Sequence, residues 1–262
     1  MIRRLLRPAL LGLILAASLP ALSFAQSAGP LNLNVGSDIL NSQHMFQIIA
    51  LVTVLSVAPS LLLMVTSFTR LIIVFGFLRS ALGLQSSPPN AVLVGLSLFL
   101  TSFIMAPTFK LAWEEGLSPY LNQQISEEQA FHRTTQPFAR FMLANVREND
   151  LSLFVSFLPK DERATMVMPG PKVKPENINV PLQALVPAYM ISELRRAFEI
   201  GFLVFLPFLV IDLAVASILM SMGMMMLPPV TVSLPFKIIF FVLVDGWHLL
   251  TSSLIQSFQP PL

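Results

Sequence analysis

Residues 200–227 read IGFLVFLPFLVIDLAVASILMSMGMMML, and Asp212 is the one charged side chain among them. At ~1.5 Å of rise per residue, a helix of this length exceeds the ~30 Å hydrocarbon layer of a bilayer. Three further apolar runs lie at 46–68, 91–113 and 238–255. The first has no charge, the second carries only Lys110 near its end, and the last contains Asp245. The expected fold is therefore all-α and membrane-associated, with about four apolar helical segments or hairpins.

Composition agrees. Hydrophobic residues make up 55% of the 262 and charged residues 11%, against roughly 25% charged in soluble domains. The small basic excess, 16 Lys+Arg against 14 Asp+Glu, depends on Arg3, Arg4 and Arg7. Those three open a segment that reads as a secretory signal: an apolar run over 10–22, then small residues Ser23 and Ala25 before Gln26. Removing 1–25 leaves 13 bases against 14 acids, so charge gives no argument for a nucleic-acid partner. An uncleaved anchor is the alternative, but the apolar run is short for a span. The chain has no cysteine, which excludes disulfides, thiolate metal sites and Cys nucleophiles.

The polar middle, 114–199, holds nine bases and eleven acids. Ser126-Glu127-Glu128-Gln129 predicts a capped helix start. Phe131, Phe138, Phe141 and Val146 continue it at helical spacing, and Pro137 is expected to kink it. Leu151 to Leu158 form a second apolar patch, and 169–181 reads as an irregular loop. Pro228, Pro229 and Pro235 are expected to break the chain between the last two apolar runs. Arg70 and Arg79, with no acid between Thr69 and Asn90, suggest a short basic loop on the cytoplasmic side. That orientation puts 114–199 outside the cytoplasm and the loop near Lys237 inside.

No catalytic constellation is present. The phosphate loop of ATP-consuming proteins is missing, His44, His132 and His248 are far apart, and no serine has a nucleophile-elbow context. Neither enzymatic activity nor a cofactor is expected. More telling are charges beside apolar runs, because charge in a membrane is costly and finds a partner or a cavity. Arg195 and Arg196 have stems long enough to reach the interface. Asp212 and Asp245 do not, and are expected to be buried charges that are partnered or face a cavity. The run Met224, Met225, Met226, between Gly223 and Pro228-Pro229, reads either as an apolar span end or as a pliable constriction.

Three stretches carry a resemblance to a known family: TSFTRLIIVF at 66–75, VPAYMISELRRAFEIGF at 186–202, and LPFKIIFFVLVDGW at 234–247. With the methionine run, they resemble the FliP family of flagellar export-gate proteins, over about 38–247. The resemblance implies a channel-forming subunit of the flagellar type III export apparatus. It would sit in the bacterial inner membrane at the basal body, with much of the assembly raised to the periplasmic side. It implies a homo-oligomer, expected as a pentamer, with FliR, FliQ and other export-gate components as partners and unfolded flagellar proteins as cargo. Met224, Met225 and Met226 match the family's pore gate. Glu193 and Lys237 match positions expected to form an ion pair between helices or protomers. Phe141 and Phe154 match ring-interior or subunit-contact positions. The injectisome counterpart shares this core and is the nearest alternative; the N-terminal leader favours the flagellar branch. A small-solute or ion transporter using Asp212 and Asp245 would call for inverted repeats, and none is visible.

Overall fold

The computed structural model describes residues 63–164, 180–224 and 226–258, with scattered helical positions between 45 and 60. The signal segment 1–25, much of the 46–68 run, most of the 169–181 loop and Met225 lie outside the described residues. The description below concerns the unit Val57–Leu262.

Nine α-helices are described. The first, α1, is Phe68–Ala81. Next, α2 (Asn90–Leu111) continues through a π-helical turn, Ala112–Leu117, into α3 (Ser118–Leu121). Then come α4 (Glu127–Asn145), α5 (Glu148–Ser156) and α6 (Lys160–Ala164). The long α7 is Leu182–Ser221, and α8 (Pro229–Leu243) and α9 (Gly246–Gln256) follow. No strand occurs among the described residues.

Several boundaries follow from local chemistry. Helix α4 starts where the Ser126 hydroxyl accepts from the Gln129 N–H at 3.4 Å, with Glu127 and Glu128 in the first turn, where carboxylates favour the helix dipole. Pro228 and Pro229, expected to break the chain, stand at the start of α8, where proline suits a first helical turn. Other expectations need correction. Pro235 lies inside α8 and does not break it. The polar middle and the third apolar run are not separate elements, because α7 passes through their boundary and contains Pro187 and Pro207. Membrane helices tolerate such prolines when neighbours cover the freed carbonyls. Finally, Arg70 and Arg79 stand within α1, not in a loop. Arg70 is fully buried, so it contributes nothing to a loop-charge argument for orientation.

The packing centre is α1. Leu71, Val74, Phe75 and Ala81 are completely buried and Leu78 nearly so. It runs parallel to α7 with a steady register: Thr66 meets Tyr189, Arg70 meets Glu193, and Phe77 meets Phe198 and Gly201. The approach at Gly201 is close enough that a Cβ there would stand 2.6 Å from Phe77 Cγ. Helix α2 buries a stripe of Leu93, Ser97, Leu100, Thr101, Met105 and Thr108. Ser97 and Thr101 satisfy their hydroxyls on carbonyls one turn back, at 2.7 Å each.

The opposite faces are apolar and uncovered. Phe99 and Phe103 on α2 are 72% and 63% exposed, and Phe202, Leu203, Val210 and Leu213 on α7 are each at least 60% exposed. Two helices, Asn90–Leu121 and Leu182–Ser221, are long and apolar enough to cross a membrane. Among the described residues a third crossing exists only if α8 and α9, which meet at a 62° bend, count as one. The 238–255 run is thus two helices.

Gly201→Leu is expected to overpack the α1–α7 contact and lower stability by about 1–3 kcal/mol. Gly95→Ala, at a site with open space around the added carbon, should not destabilise. Helix-signal melting of both variants in detergent checks this.

Candidate functional site: two buried ion pairs and a methionine loop

Arg70 reaches α7 as a planar fork. Its Nε donates to Glu193 Oε2 at 2.8 Å and its Nη2 to Glu193 Oε1 at 2.5 Å. Its Nη1 donates to the Ser257 carbonyl at 3.1 Å and lies 2.8 Å from the Ser257 hydroxyl. The Phe258 ring covers the guanidinium, 3.7 Å from Cζ to centroid. Both charged side chains are wholly buried. A buried charge persists only when paired and hydrogen-bonded, and this one is saturated on three sides. Beside it the Tyr189 hydroxyl donates to the Thr66 carbonyl at 3.1 Å.

The second pair ties α8 to both α1 and α7. Lys237 Nζ donates to Asp212 Oδ2 at 2.6 Å and to the Ala81 carbonyl, at the end of α1, at 3.0 Å. The Ser233 hydroxyl donates to Asp212 Oδ1 at 2.5 Å. Lys237 is 3% exposed at its side chain and Asp212 21%. Asp212, singled out in the sequence as a charge in an apolar run, thus has Lys237 and Ser233 as neighbours. Asp245 is otherwise: it is exposed in the chain and occupies the corner between α8 and α9, in the left-handed region at φ 49°. Asp is one of the few residues that enters that region at modest cost, so its role is in the backbone.

The expected Glu193–Lys237 pair is not the one formed within the chain. Each residue has its own partner, Arg70 and Asp212 respectively. Both sit on α7 or against it, but Glu193 and Asp212 are nineteen positions apart on one helix, about 28 Å along its axis. One lysine on α8 cannot serve both.

Between α7 and α8 lies the methionine loop. Gly223 takes φ 75°, which permits the turn that ends α7, and the Met224 N–H donates back to the Leu219 carbonyl. Met226 is 98% exposed. Met224 and Met226 thus lie between the end of α7 and the start of α8. Phe141, matched to a ring interior or a subunit contact, is 1% exposed, packs on Tyr189 and stacks with Phe258 within its own chain. Phe154 is partly buried against the same core.

Sequence reasoning missed the partners that complete these sites. The Ser192 hydroxyl accepts from the Arg147 N–H at 3.1 Å and lies 2.7 Å from Asp150 Oδ2, docking α5 on α7. Arg147 and Arg195 share Glu199 Oε1 at 3.3 and 3.2 Å. Ser257 and Phe258 gave no signal beyond an apolar run's end. Arg70, read as loop charge, was detectable as an arginine at the edge of an apolar stretch. Among the described residues no group of three His, Asp or Glu could hold a metal.

These features define an all-helical, membrane-associated subunit, cross-braced by buried charges and presenting apolar outer faces that need lipid or other chains. The FliP family profile matches residues 51–254, and the chain belongs to the FliP family. It is 51% identical over 258 residues to the flagellar biosynthetic protein FliP of Caulobacter vibrioides, covering 98% of this chain and 92% of that one. The Rhizobium meliloti protein of the same name is 52% identical over 85% of this chain and 90% of its own length. The Bacillus subtilis one is 49% identical over 87% and 98%.

Arg70→Gln or Glu193→Gln alone is expected to cost about 3–5 kcal/mol, since each strands a buried charge. Arg70→Met with Glu193→Leu together should cost less than the sum of the two single changes. Exchanging the charges of Glu193 and Lys237 should rescue neither single variant. Denaturation midpoints in detergent, and complex abundance in membranes, read all of these.

Proposed function

We propose that this chain is a channel-forming subunit of the flagellar type III protein export apparatus, passing unfolded flagellar proteins across the bacterial inner membrane. The carrying observation is the likeness, near 50% over most of the chain, to proteins named flagellar biosynthetic protein FliP. That name also favours the flagellar over the injectisome branch. The uncovered apolar faces of α2 and α7 support a place in the membrane and contact with other export components. The finer parts of the reading are a multi-pass topology, a homo-oligomer expected as a pentamer, and FliR and FliQ as neighbours. A raised, periplasmic position for much of the assembly belongs with them, as does cleavage of the signal before Gln26.

The gate is assigned to Met224, Met225 and Met226. A ring of such loops would place many thioethers about one axis. Apolar lining disfavours hydrated ions because nothing replaces their water, whereas unbranched methionine yields to a passing chain by changing rotamer. The exposure of Met226 suits that role, since a residue that packs within its own chain cannot line a shared passage. The charges Glu193 and Lys237 serve this reading as internal braces that keep the loop's flanking helices in place.

Replacing Met224, Met225 and Met226 together by Ala is expected to leave assembly intact and to open an ion leak. Conductance across membranes holding the purified complex measures it, with complex abundance and mass followed in parallel. A triple variant that assembles normally and stays as ion-tight as wild type would remove the gate assignment.

A further inference from the structure

Helices α8 and α9 meet at a corner that local sequence does not by itself enforce. Together they cover 229–256, which as one straight helix would be about 42 Å long, enough to cross a ~30 Å hydrocarbon layer. The pair meets the length and composition of a span when taken jointly, yet is bent by 62°. At the corner Asp245 takes a left-handed conformation, φ 49° and ψ 52°, at a modest cost that is larger for other non-glycine residues. Gly246 leaves room for the Phe241 ring, and Phe241 meets Trp247 edge-on at 5.4 Å.

Support for the bend comes from the far end of α9. The helix lies antiparallel against α1, with Trp247 near Phe75 (centroids 6.4 Å apart) and Ser257 and Phe258 at Arg70. Phe258 is held on two sides: the Arg70 guanidinium at 3.7 Å and the Phe141 ring stacked at 6.2 Å. The Ser257 carbonyl and hydroxyl occupy the Arg70 nitrogen that Glu193 leaves free. If α9 swung away, a buried guanidinium would lose two oxygen partners and its aromatic cover together.

We propose that Ser257 and Phe258 are positioning residues that latch α9 to Arg70 and so hold α8–α9 as an elbow, and that releasing the latch lets the pair straighten into one long helix. The latch acts through Arg70, and it fixes the lower arm of a helix pair whose upper arm begins directly after the methionine loop. Its consequence for transport rests on the export-channel reading above; the elbow itself does not.

The absence of cysteine makes the test clean. Spin labels go on cysteines introduced at the exposed positions Ser80 and Ser253 of the full chain in nanodiscs, and their distance distribution is measured. Label 253 is eight residues beyond the corner, so straightening a 62° bend displaces it by about 12 Å at 1.5 Å per residue. Wild type should give one narrow population. Phe258→Leu, which keeps apolar bulk but no aromatic face, should add a second population displaced by about that amount, and Phe258→Trp should restore the single one. Asp245→Ala, which makes the corner costlier, should enlarge the displaced population only when combined with Phe258→Leu. If Phe258→Leu and the double variant both keep the wild-type distribution, the latch is overturned. Folding is verified by an unchanged distance between labels at Ser80 and Ser217, which lie on α1 and α7. A variant that loses that distance too has lost the α1–α7 core, which counts against a latch confined to α9. Ion conductance of the same variants separates the two readings: a displaced label in an ion-tight complex upholds the latch and argues against its influence on the gate.

Discussion

The fold turns on one buried guanidinium. Arg70 enters the packed centre on α1, a helix otherwise lined by Leu71, Val74, Phe75 and Leu78. A charge there is tolerable only because its donors are engaged by Glu193 of α7 and Ser257 beyond α9, under the Phe258 ring. Buried ion pairs of this kind contribute little net stability compared with an apolar replacement, but they punish misalignment heavily. Apolar helices can slide or rotate against one another at small cost, whereas a bidentate fork accepts one register. The parallel α1–α7 pairing, steady from Thr66–Tyr189 to Phe77–Gly201, is the register that the fork selects.

Lys237 applies the same constraint at the other end of α1. Its ammonium joins Asp212 to the Ala81 carbonyl, where the last carbonyls of α1 lack helical donors and carry partial negative charge. A short helix is thereby clamped at both ends to a long one, by two bridges that use different residues of α8 and α9. Just before the Glu193 clamp, α7 receives α4 and α5 through Phe141, Tyr189 and the Ser192–Asp150 contact. The soluble-looking helices and the apolar ones thus share one core and are not separate layers.

The sequence made the class of fold plain because bilayer-length apolar runs and low charge leave few alternatives. It also marked the capped start of α4 at Ser126, the Pro228-Pro229 entry to α8 and the unusual aspartate on α7, each of which has a local physical signature. What it hid was long-range. Nothing near Arg70 says that its partner lies 123 residues away, so a lone arginine after an apolar run read as loop charge. Glu193 and Lys237 were read as one pair between helices or protomers, and that each meets another residue within the chain was not legible without distances along α7. Proline misled in the opposite direction: Pro235, expected to break the chain, lies inside α8, because apolar surroundings favour an interrupted helix over exposed backbone.

The same contrast separates the rigid parts of the chain from the adaptable one. Arginine, glutamate, lysine and aspartate sit where geometry must be unique, each held by short directional bonds. The methionine loop is of another chemistry, since a thioether offers only a weak acceptor. Its backbone is defined by Gly223 at one end and two prolines at the other, while Met226 stands free of its own chain. The gate proposed for this loop, closing against ions and opening for polypeptides of varied sequence, would need fixed walls and compliant lining. In that proposal directional bonds would supply the first and thioether side chains the second. Exchanging the two chemistries would then defeat both: a charged lining would hydrate and leak, and a methionine brace would let the walls drift.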